Sequence, residues 1–120
     1  MPTEARVVVV PQEQGQALEV VDVTLPDPGP NQVVVRQFAS GICHSQLHTI
    51  HNPRQAPAIL GHESTGEVEA VGESVMDLKP GDTVMVTWVP KNQQQARRQG
   101  GPTALELPDG RTATSINVFT

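Results

Sequence analysis

Aromatic residues are nearly absent from this chain: Phe38, Trp88 and Phe119 are the full set, and there is no tyrosine. Basic residues are also few, 8 against 13 acidic ones, for a formal net charge of -5, and Arg97-Arg98 is the one basic pair. Readers of nucleic acid need stacking rings and a basic face, so nucleic acid is not an expected partner. A single cysteine cannot form an internal disulfide, which suits a reducing cytoplasm. No apolar run approaches the roughly 18 to 20 residues that cross a bilayer. The four-valine run Val7 to Val10 is also too short for the apolar region of a signal peptide. A cytoplasmic protein without a membrane segment is the expectation.

What the chain has in excess is valine, 17 residues against 7 leucines and 4 isoleucines. β-Branched residues pack well on a pleated surface and favour strands. Eleven prolines and ten glycines punctuate the sequence, as short strands joined by tight turns require. At 120 residues the chain is long enough for one domain with a modest core. The fold class expected is mainly β, with one or two short helices.

The segments follow from the punctuation. Val7 to Val10 reads as a strand ended by Pro11, and Ala17 to Leu25 as a second after the Gln14-Gly15 turn. Pro26 to Pro30 is a loop. Gln32 to Phe38 resumes extended structure around a run, Val33-Val34-Val35, expected to be buried core. Ser40-Gly41 breaks that strand, and His44 to Ile50 is expected to form about two helical turns, ended at Asn52-Pro53 because a residue before proline avoids helical angles. Thr65 to Val71 and Thr83 to Val89 alternate as strands, separated by the Leu78 to Asp82 turn; Val84, Val86 and Trp88 are expected on one face. This core, 1–90, is followed by a polar, glutamine-rich loop or short surface helix over 91–103. A final hairpin, 104–120, is built on Leu105, Leu107, the Pro108-Asp109-Gly110 turn and Ile116 to Phe119.

Chemistry concentrates in two short stretches. Cys43 lies in Gly41-Ile42-Cys43-His44-Ser45, and His62 and Glu63 lie in Gly61-His62-Glu63. Thiolate, imidazole and carboxylate are the ligand types zinc prefers. A lone cysteine is ordinarily a small buried hydrophobe, and a loop histidine is often simply hydrogen-bonded. Gly41, His44, Ser45 and His48 around the thiol, and Gly61 and Glu63 around the imidazole, favour a site instead. Gly66 and Gly72, flanking the Glu67 to Val71 strand, fit turns or close backbone approach. A rival metal set is His44, His48 and His51, spaced four and three apart on one helical face.

Taken together, Gly41-Ile42-Cys43-His44-Ser45, Gly61-His62-Glu63-Ser64-Thr65-Gly66, Gly72, Val75 and Lys79-Pro80-Gly81-Asp82-Thr83-Val84 resemble the zinc-containing alcohol dehydrogenases of the medium-chain dehydrogenase/reductase superfamily. The likeness runs from about Arg6 to Val89. It implies a GroES-like, partly open β-barrel, the N-terminal half of that family's catalytic domain. It implies Cys43 and His62 as two of three catalytic zinc ligands, and Glu63 as a carboxylate able to approach the metal. Ser45 would take the proton of the reacting alcohol, with His48 the more distal member of the relay. His44 would contact the phosphates of an NAD or NADP cofactor. The substrate implied is a small-molecule alcohol or aldehyde.

The chain also departs from that family. No run of four closely spaced cysteines follows Trp88-Val89-Pro90, so a structural zinc is not expected. No Gly-x-Gly-x-x-Gly run is present, and the third ligand and the Rossmann domain lie downstream in the family. The expectation is roughly the first third of an enzyme, inactive alone, with an incomplete zinc site and an exposed apolar surface prone to self-association. Two other readings are a non-enzymatic GroES-like binding or assembly module, and a relative of the zinc-free quinone reductases.

Overall fold

The computed structural model describes residues 3–87 and 103–115. Strand β1, Thr3–Val9, pairs antiparallel with β2, Glu19–Leu25, in register from Thr3 opposite Leu25 to Val9 opposite Glu19. Strand β3, Val33–Ser40, is followed by helix α1, His44–His51, and the two-residue strand β4, Ala58–Ile59. Strands β5, Ser64–Val71, and β6, Thr83–Val86, complete an antiparallel sheet in the order β3-β5-β6. The last two strands, β7, Thr103–Glu106, and β8, Thr112–Ser115, form a hairpin, and β4 adds to β8 in parallel. Among the described residues, three open sheets and one helix make the mainly-β architecture that the valine and proline content predicts.

Pleating places alternate residues on opposite faces, and β1 and β2 follow it closely. Ala5, Val7 and Val9 point in with Val21, Val23 and Leu25, while Glu4, Arg6, Val8 and Val20, Asp22, Thr24 point out. Val9 and Val23 meet Leu105, Leu107 and Ala113 from the β7–β8 hairpin in one buried cluster. That cluster is the hydrophobic core among the described residues. The backbones of Val10 and Ala58 exchange two hydrogen bonds of 2.8 and 2.9 Å, tying the first sheet to the third.

The β3-β5-β6 sheet turns Ser64, Gly66 and Val68 inward, with Val68 fully buried. Gly66 and Gly72 are required by close approach of backbone. A Cβ at Gly66 would lie 2.4 Å from the Arg36 carbonyl oxygen, and one at Gly72 would lie 2.0 Å from that of Gly29. On the outer face Arg36 faces Glu67 at 3.6 Å and Glu69 at 3.9 Å.

Some expectations change. Val33, Val34 and Val35 are each half-buried rather than core. Three successive strand residues alternate between faces, and each face of this sheet is covered only in part. The second strand of the final hairpin is Thr112–Ser115, one turn after Pro108-Asp109-Gly110 and earlier than the Ile116 to Phe119 stretch, which lies outside the described residues. Strand β6 ends at Val86, and the Trp88 position and the polar loop through residue 102 also fall outside them. Helix α1 runs one residue past Ile50 to His51, and the extended backbone of Asn52 ends it.

Candidate metal centre

The ladder between β3 and β5 does not stop with the last paired residues, Ser40 and Ser64. The Gly41 N–H donates to the Glu63 carbonyl at 2.9 Å, and the Ser40 hydroxyl donates to the same oxygen at 3.1 Å. These bonds lay the start of the 41–45 segment against the end of the 61–63 segment. Gly61 has φ +135, a backbone angle only glycine adopts without strain. Substitution there would distort the entry to His62.

Cys43 is the N-cap of α1, in extended conformation with φ -89 and ψ 145. Gln46, three residues on, accepts the Cys43 N–H through its Oε1 at 2.9 Å. This is the glutamine half of a capping box. Gln46 is one residue missed in the sequence, because the pattern is marked by serine, threonine, aspartate or asparagine three places before the glutamine, and cysteine stands there instead. Arg54 is another. Its guanidinium donates to the carbonyls of Thr49 at 2.8 Å and of Ile50, at the end of α1, and to those of Pro11 and Gln12. No local sequence signal announces that clamp.

The outcome is a convergence of three donors. One ligand atom each from Cys43, His62 and Glu63 lies within 4.8 Å of the others. His62 Nε2 is 3.8 Å from Glu63 Oε1; the imidazole is 15% exposed and the carboxylate 47%. Zinc bond lengths place tetrahedral ligand atoms about 3.4 to 3.6 Å apart, so small side-chain rotations bring this trio onto one ion. Among the described residues it is the one group of three such side chains close enough to do so. The rival set of His44, His48 and His51 does not gather.

The Cys43 thiol is held below its ordinary pKa, chiefly by the hydrogen bond from the Ser45 side chain, then by the Ser45 backbone and by His62. Thiolate is the form that binds metal. Ser45 therefore stands directly beside the sulfur. One turn along the helix, His44 and His48 lie edge to face, ring centroids 5.0 Å apart, and both are exposed. No hydrogen bond joins Ser45 to His48 among the described residues.

Residues 29–116 match the family described as "Alcohol dehydrogenase GroES-like domain". The chain belongs to that family. It is 42% identical over 81 residues to an alcohol dehydrogenase of Moraxella sp. (strain TAE123), covering 64% of this chain and 24% of the relative. It is 36% identical over 110 residues to a putative alcohol dehydrogenase D of Mycobacterium tuberculosis, covering 82% and 30%. Human sorbitol dehydrogenase is 43% identical over 75 residues, covering 58% and 21%. Among solved structures, alcohol dehydrogenase TADH from Thermus sp. ATN1 superposes with a TM-score of 0.52 at 39% identity, over 68% of this chain and 24% of that one. The chain thus spans under a third of the length of these relatives. Its open sheets are those of a partial GroES-like β fold.

Proposed function

We propose that this chain is the metal-binding part of an oxidoreductase that interconverts alcohols with aldehydes or ketones, with a nicotinamide, NAD or NADP, taking or giving the hydride. The observation that carries the reading is the meeting of Cys43, His62 and Glu63 within 4.8 Å. Membership of the family, and relatives named alcohol and sorbitol dehydrogenase, support it.

The donor set fits zinc: a thiol already biased toward thiolate, an imidazole, and a carboxylate within reach. Cys43 and His62 would hold the ion and Glu63 would approach it. Zinc, when bound, supplies the Lewis acidity that makes an alcohol hydroxyl readily ionised. The remaining work belongs to the chain's own side chains. Ser45, beside the Cys43 sulfur, accepts the substrate proton, and His48, exposed on the next turn, passes it to water. His44 contacts the phosphates of the cofactor. Hydride goes to the nicotinamide because no side chain accepts one.

Alone, the chain is proposed to bind zinc weakly and not to turn over: with Glu63 only approaching the ion, Cys43 and His62 are one short of the three protein ligands that catalytic zinc takes beside its open position. Exposed Phe38, Ile42, Met76 and Met85 would drive self-association of the isolated chain. The unpaired thiol suits a cytoplasmic location.

Cobalt(II) titration followed by absorption tests the reading. A sulfur-to-cobalt charge-transfer band that disappears in Cys43→Ser and weakens in His62→Asn is expected. Cobalt binding with no such band, or equal affinity in His62→Asn, would remove the basis for the proposal.

A further inference from the structure

The imidazoles of His44 and His48 sit four residues apart on α1 and already touch, with centroids 5.0 Å apart and planes inclined by 74°. Residues at this spacing lie on one helical face with Cβ atoms about 5 to 6 Å apart. Both rings are exposed, and among the described residues neither makes a hydrogen bond or ion pair. His51, a further three residues on, shares no ring contact with them; its backbone carbonyl accepts the Gln14 side-chain amide.

We propose that His44 and His48 form a second metal site, a solvent-facing chelate for copper(II), sharing no donor with the Cys43, His62 and Glu63 group. Neutral imidazole suits copper, nickel and zinc, and copper(II) binds most tightly in the divalent series. Its tetragonal preference is met by two adjacent ring nitrogens with water in the remaining positions. Metal–nitrogen bonds of about 2.0 to 2.1 Å require the two rings to turn their nitrogens toward a common point, a side-chain rotation that leaves the backbone in place. Both ends of the helix are pinned, by Gln46 at Cys43 and by Arg54 at Thr49 and Ile50, so binding does not have to order the helix. The net charge of -5 favours a cation at the surface. A metal on this pair withdraws both rings from the relay and cofactor roles proposed above, so occupancy inhibits. The site stands on α1 alone, and its failure would leave the dehydrogenase reading untouched.

Copper(II) oxidises free thiols, so the test uses the full chain with Cys43 capped by iodoacetamide and, in parallel, Cys43→Ser. Sub-stoichiometric copper(II) should broaden the ring NMR signals of His44 and His48 ahead of those of His51 and His62. Loss of an outer-shell partner already weakens metal binding on the order of 10- to 100-fold, so His44→Asn and His48→Asn should each weaken copper binding at least that much. His51→Asn should leave it unchanged. Circular dichroism of each variant checks that α1 persists; where it does not, the capped wild-type spectrum decides. Broadening that begins at His51 or His62, or a His48→Asn protein that binds copper as its parent does, overturns the proposal.

Discussion

The backbone N–H of Gly41 bonds to the carbonyl of Glu63 at 2.9 Å and, with the Ser40 hydroxyl on the same oxygen, lays the two halves of the candidate centre side by side. Glycine at 41 leaves room for the carboxylate. A Cβ there would meet Glu63 Oε2 at 3.0 Å, the free end of a flexible side chain. Gly41→Ala is therefore expected to stay within about 1 kcal/mol of wild-type stability while displacing Glu63 and weakening cobalt binding. Gly72→Ala is the contrast, because its Cβ would meet backbone oxygens of Gly29 at 2.0 Å and Pro30 at 2.4 Å. Backbone cannot swing aside, and a loss of at least about 1 to 3 kcal/mol is expected. Urea unfolding of both variants, with a cobalt titration of the first, separates the two effects; equal destabilisation would contradict the account.

Ser45 should control the reactivity of Cys43 in the metal-free protein. The Ser45 side chain is the first cause of the lowered thiol pKa. A lowered pKa means a larger thiolate fraction at about pH 7, and thiolate is the form that reacts. Ser45→Ala moves the pKa up toward its ordinary value, so alkylation by iodoacetamide near neutrality is expected to slow. An unchanged rate at matched pH would show that the serine hydroxyl does not govern the sulfur.

Arg54 should matter more than its place in an irregular segment suggests. Four backbone carbonyls converge on its guanidinium, two at the end of α1 and two in the β1–β2 loop. A hydrogen bond to a charged group contributes about 1.5 to 3 kcal/mol, and the planar fork spreads over several acceptors where an ammonium cannot. Arg54→Ala is expected to destabilise by roughly that much, and Arg54→Lys to recover little of it. Hydrogen exchange of the α1 amides should accelerate in both; protection equal to wild type in Arg54→Lys would argue for charge alone.

Acid should loosen the turn between β5 and β6. The Asp82 carboxyl lies below its ordinary pKa, chiefly through the hydrogen bond from the Lys79 side chain at 2.7 Å, with the Lys79 N–H at 3.0 Å as the next cause. Its contribution is present above the ordinary carboxylate range, about pH 4, and is lost as pH falls through the lower folded-state value. Asp82→Asn should therefore cost stability at neutral pH and flatten the acid limb of the stability profile. A parallel downward shift of the whole profile would assign the loss to something other than ionisation.

Much of the fold was legible because strand and turn chemistry is local. Pro11, the Pro26 to Pro30 loop, Ser40-Gly41 and Lys79 to Asp82 end or join strands through dihedral limits that operate wherever those residues occur. The helix over His44–His51 was readable for the same reason, with Asn52-Pro53 as its stop. Facing was less readable. In Val7 to Val10 every residue is valine, so no polar alternation says which side is inward, yet Val9 is fully buried and Val8 is 49% exposed. The same uniformity made Val33 to Val35 look like core when each is half-covered.

The amino acids alone determined the chemical kinds available, one thiol and four imidazoles with a carboxylate, Glu63, beside one of them, and the family pattern around Cys43 and His62. Which of those groups share a place was decided in three dimensions. The three-histidine set had the better local spacing, and His44 and His48 are neighbours on the helix, but the rise per residue sets His44 and His51 about 10 Å apart along the axis, too far to share an ion. The Cys43 and His62 segments have no such limit, since antiparallel pairing of β3 with β5 carries them together whatever their separation in sequence.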